Sequence, residues 1–151
     1  KLMIEFKKYK LEWPFSDRLN QFIWDNKYKY PYLINNDLET LEGIKMFYDV
    51  NGKYGISNQN CENTIFGNID TNLMFRAWHD AIHIKHDLPF TLEGEIAVYN
   101  IMQAELHNSY YFEKLLLYAD IVGQTLYFNK YNKFPDNQRE FVIDFITKGT
   151  L

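Results

Sequence analysis

"RAWHDAIHIKHDLPF" (residues 76–90) holds three of the four histidines of the chain, and its pattern decides how the surrounding segments fold. On an α-helix each residue turns by about 100°, so positions four and seven apart share a face. His79, His83 and His86 therefore form one stripe, with Phe75 and Ile82 beside it, Trp78 a little further round, and Arg76, Asp80 and Asp87 on its other side. The stripe runs along the border between core and water. Pro89 ends this helix near Asp87 and Thr91 caps the next, so the two helices are joined by only a few residues, "DLPFT", and are expected to lie antiparallel.

Working outward, Ser16 precedes "DRLNQFIWDNKY", where Leu19, Phe22 and Ile23 recur at helical spacing, and "YPYLINND" breaks that helix. Asp37 is the expected cap of a second helix through Leu38, Leu41, Ile44, Phe47 and Tyr48. Residues 49–68, rich in Asn, Gly and Ser, read as one long loop, a length more typical of lids and binding loops than of spacers. Asp70 or Thr71 caps the histidine helix. The helix after Thr91 is expected to run to about Tyr110, a fifth from about Tyr111 to Phe128, and a sixth from Pro135 with Asp136 or Asn137 as its cap to Gly149. Leu2, Ile4 and Phe6 alternate with charged residues, which suggests a short N-terminal strand or arm. The expectation is one mainly α domain over residues 1–151, built of five to six helices.

Composition narrows the function classes. An apolar fraction of 46% and an aromatic fraction of 18% in 151 residues suffice for a real core. The net charge of −4 supplies no general field for nucleic acid, and Lys7, Lys8 and Lys10 form only a local basic strip. One cysteine, Cys61, precludes an internal disulfide, and no apolar run has membrane length, so a reducing, cytoplasmic setting is expected.

The chemistry gathers around the histidines. Two histidines four apart can hold one metal ion, since their Cβ atoms are about 6 Å apart, and His79 with His83 is the better pair. His86 lies about 10 Å along the axis from His79, which makes it a secondary candidate. Glu95 shares a helical face with Val98, Tyr99, Met102 and Leu106, and Asp120 shares one with Leu116, Leu117, Gly123 and Gln124. A carboxylate on an apolar stripe is costly to bury unless it is paired or bound to a metal. In the expected hairpin His83 and Glu95 each stand about two turns from the connection and can meet. His79, His83 and Glu95 then form a set suited to zinc, manganese or iron, with Asp120 as a fourth ligand or catalytic base, Asp80 as a group that orients a histidine or carries a proton, and Gln124 and Glu105 as secondary candidates. Glu93 suits the first turn of its helix, His107 faces away from Glu95, and Gly94 offers close helix approach or substrate access.

"HDAIH" is similar to the zincin metalloprotease motif, with Asp80 where that motif has its glutamate base. His79-Asp80 and His86-Asp87 are also similar to the HD pair of HD-type phosphohydrolases, although no histidine precedes His79 here. The ordered set "FRAWHDAIH", "LPFTLEGE", "ADIVGQ" and "FPDNQREFV" resembles a small family of uncharacterised proteins encoded by tailed bacteriophages. That resemblance implies one constellation of His79, Asp80, His83, Glu95, Asp120, Gln124 and Gln138, and expression in an infected bacterium. Two readings follow. One is a metal-dependent hydrolase acting on a small-molecule or peptide substrate. The other is a non-enzymatic accessory or structural phage protein, with a protein partner, in which the cluster is a buried polar network or a structural metal site.

Overall fold

The computed structural model describes residues 14–149. Its centre is the longest helix, α3 (Ile69–His86), which the side chain of Asn68 caps by accepting from the Thr71 amide at 2.8 Å. Asn68 thus takes the place expected for Asp70 or Thr71. Thr71 instead is buried and accepts from the Trp24 indole at 2.7 Å, tying in α1 (Asp17–Asp25), which Ser16 caps as expected. Around α3 pack α1, α2 (Leu41–Asn51) and α4 (Leu92–Ala104). α5 (Tyr111–Tyr118), a π turn (Ala119–Gly123) and α6 (Gln124–Tyr131) form one rod, and α7 (Gln138–Lys148) closes over the π turn. With that rod counted once, the described residues contain six helical segments of more than one turn, and the fold is mainly α as expected.

Several boundaries differ from expectation for local reasons. Thr40, whose hydroxyl accepts from the Gly43 amide, caps α2 in place of Asp37. α4 ends at Ala104 rather than near Tyr110, because the chain turns through Leu106 and His107, where the His107 ring binds Ser109. Residues 49–68 are not one loop. Tyr54–Ile56 forms β2, paired in parallel with β1 (Tyr32–Ile34), and β2 is buried where Tyr54 stacks on Tyr48. In the rest of that stretch Cys61, Thr64, Ile65 and Phe66 are buried, while Ser57, Gln59 and Asn60 line a cavity. The N-terminal strand or arm and its lysines lie outside the described residues.

One connection determines where the site forms. Asp87 takes the left-handed conformation (φ 53°), the Leu88 amide donates back to the His83 carbonyl at 2.9 Å, and Thr91 then caps α4. The turn is tight enough that a Cβ on Gly94 would collide with the backbone carbonyl of Pro89. Gly94 therefore serves the approach of this turn rather than access for a substrate. In an exposed helix, Gly→Ala usually stabilises by about 1 kcal/mol. Here the sign should invert. Gly94→Ala is expected to lower unfolding stability by about 1–3 kcal/mol through overpacking, read as a lower urea midpoint.

A candidate metal centre at the α3–α4 hairpin

Antiparallel packing of α3 and α4 brings Glu95 to the histidine stripe. Its Oε1 lies 2.7 Å from His79 Nε2 and 2.9 Å from His83 Nε2, and the two Nε2 atoms are 3.2 Å apart. His83 is completely buried and Glu95 nearly so. These three residues offer ligand atoms all within 4.8 Å of one another, the only such group of three or more among the described residues.

The far sides of both rings are tied down. His83 Nδ1 is 2.8 Å from the Leu88 carbonyl, which can only accept, so Nδ1 carries the hydrogen. His79 Nδ1 is 3.0 Å from Asp80 Oδ1, and donates in the same way. Both Nε2 atoms consequently aim at Glu95. Three acceptors converging on one point require a positive charge between them, either a proton or a metal ion. Anchoring the distal nitrogen to a carbonyl or carboxylate is the usual way in which metal-binding histidines are oriented.

Without a metal, a proton fills this role. Burial disfavours the charged His79 ring, but the Glu95 charge and the hydrogen bonds to Asp80 and Glu95 outweigh it and raise its pKa to about 10. Burial likewise opposes ionisation of Glu95, yet the His79 charge and the hydrogen bond from His79, with the close contact to His83, lower its pKa to about 2. The spacing also suits an ion. Two nitrogens bound to tetrahedral zinc lie ~3.3 Å apart, close to the observed separation, while Glu95 would draw back by a few tenths of an ångström.

A cavity of about 380 Å³ opens against His79 and Glu95, and Asp120 and Gln124 line it as well. Asp120 is outside the three-ligand group but lines the same space. Burial pushes its carboxyl up to about 6, against the hydrogen bond from Gln124 and the charges of Arg76 and His79. Gln138 also lines the cavity, so His79, Glu95, Asp120, Gln124 and Gln138 meet around one space, with Asp80 and His83 attached behind. Compared with known protein families, curated proteins and solved structures, the chain matches none.

Other candidates lie elsewhere. His86 is exposed at the end of α3, and Asp87 faces Lys45. Glu105 accepts the Trp78 indole N–H at 3.0 Å. Asn72, Arg76 and Phe134 line the cavity but had no distinguishing signal in the chain. Glu113 had one, since it shares its helix face with Leu116 and Leu117. It is buried and paired with Arg18 at 2.8 Å and Ser16 at 2.5 Å, away from the cavity.

The charge pair gives a pH signature. The raised His79 pKa contributes stability that is complete below pH 6.5 and lost as pH rises through about 10. The lowered Glu95 pKa contributes stability that is complete above pH 4.5 and lost as pH falls through about 2. With EDTA present, the stability advantage of wild type over Glu95→Gln should therefore be greatest between pH 4.5 and 6.5 and shrink on both sides. Urea midpoints across that range measure it.

Proposed function

We propose that the protein is a small metal-dependent hydrolase, with one divalent ion held by His79, His83 and Glu95. The observation that carries this reading is the convergence of two anchored Nε2 atoms and a carboxylate oxygen on one point at the edge of a cavity. A polar network serving only to lock helices has no need of a cavity on its open side. Zinc, manganese and iron all accept this ligand set. The bound ion would supply an acidified water and polarise an acyl or phosphoryl oxygen.

The remaining roles belong to the chain. Asp80 holds the His79 ring by its Nδ1 hydrogen, and the Leu88 carbonyl does the same for His83. Asp120, with its pKa raised to about 6, is suited to accept a proton from water and return it to a leaving group near neutral pH. The phage resemblance would put this activity in the cytoplasm of an infected bacterium. A second reading, a polar lock or structural metal site in a non-enzymatic phage protein, draws support from the complete burial of His83 and its direct contact with Glu95.

Metal analysis separates the two. Protein purified without chelator should carry about one divalent ion per chain, lost in His83→Ala and Glu95→Ala, and binding at neutral pH should release about one proton, from His79. Asp80→Ala should retain the site with metal affinity lowered about tenfold or more, while His86→Ala should leave it unchanged. Trace metal in wild type, unaltered in both ligand variants, would exclude the hydrolase. Bound metal with no hydrolysis of acyl, amide or phosphoryl substrates would leave the structural site.

A further inference from the structure

In the cavity wall Gln124, Gln138 and Arg76 each turn donors to groups of the wall itself. Gln124 Nε2 donates to Asp120 Oδ1 at 2.8 Å and to Gln138 Oε1 at 3.4 Å, and Gln138 Nε2 donates to the Asn60 carbonyl at 2.9 Å. Each terminal nitrogen of Arg76 is turned to a backbone carbonyl, that of Ser57 at 2.7 Å and that of Asn60 at 3.1 Å. Asn72 Nδ2 is buried and has no partner among the described residues.

On the nearly buried side chains of this wall the groups left open are acceptors. Gln124 Oε1, Asp120 Oδ2 and Glu95 Oε2 receive no hydrogen bond among the described residues, on side chains whose residues are only 8%, 8% and 7% exposed. Acceptors that open on a cavity without a donor of the protein are completed by water or by a ligand that brings hydrogens. A phosphate ester would add further acceptors and negative charge to such a wall. A hydroxyl is donor and acceptor at once, whereas an amino or amide nitrogen brings hydrogens alone. Phe75, Ile121 and Phe134 supply the apolar part of the lining.

We propose that the cavity receives an N–H-bearing organic group, an amine or a carboxamide, whose hydrogens are taken by Gln124, Asp120 and Glu95 while its carbon skeleton lies against Phe75, Ile121 and Phe134. This names the substrate class of the hydrolase and rests on that reading for its chemistry alone. Binding to the wall needs no metal and can be measured separately.

The full chain, ¹⁵N-labelled and held in EDTA, is titrated with benzamide, n-butylamine, glucose and methyl phosphate. Benzamide or butylamine should give saturable shifts at Gln124, Asp120 and Phe134, with affinity about tenfold weaker in Asp120→Asn and in Gln124→Met, the cost of one buried hydrogen bond. Asp120→Asn is nearly isosteric and guards against a folding defect in the other variant. Methyl phosphate or glucose binding more tightly than both nitrogen probes, insensitivity to both substitutions, or no saturable binding at all would overturn the assignment. If benzamide binds and zinc does not, the hydrolase falls and the cavity assignment stands. If zinc binds and neither nitrogen probe does, the reverse holds.

Discussion

The constraint on which the structure turns is the shared positive charge between Glu95 and two histidine rings. A buried carboxylate is tolerated only when its charge is answered, and here the answer comes from the helix before it in the chain. That requirement fixes how α3 and α4 are aligned, since a slip of one residue along either helix would separate Glu95 from both rings. The short turn between them enforces the same alignment through the Leu88 carbonyl and the close approach of Gly94 to Pro89. Connection and charge agree on one register.

The second layer is built from further away. The loop residues Ser57 and Asn60 reach the cavity because Arg76 and Gln138 hold their carbonyls, and Asp120 reaches it because the rod of α5 and α6 widens at the π turn. A site on the border of an antiparallel hairpin is thereby enclosed by segments that follow and precede it by dozens of residues. The hairpin supplies the charged groups, and the distant segments supply the walls. π turns inside α-helices occur often at functional sites, and this one carries the wall carboxylate.

Much of this was legible in the chain, and the division follows from range. Ser16 and Thr91 act through hydrogen bonds within three residues, so their caps could be read directly, and Asn137 is one of the two adjacent residues expected to cap the last helix. Glu95 and Asp120 stood out because each interrupts an apolar stripe, a property visible within one helix. The parallel pair of three-residue strands could not be read, because it is set by contacts between residues 22 apart and its strands are too short to establish alternation. Asn68 and Thr40 took caps expected of neighbours, since several adjacent residues could serve and packing chose among them. Arg76 and Asn72 looked like ordinary polar border residues. Only the arrival of α7 and the segment after β2 turns that border into a cavity.

The π turn at Ala119–Gly123 also sets a frame. A turn of this kind holds one residue more than an α-turn, so everything downstream is rotated by about 100° relative to a regular continuation. At the end of that turn Gln124 donates to Asp120, and Gly123 lies under the rings of Phe141 and Phe145. Excising a single residue here would leave a smoother helix and a worse protein. The wall of the cavity and the seat of the last helix would be swung out of position together. Length, at this one place in the chain, is as much a part of the site as any side chain.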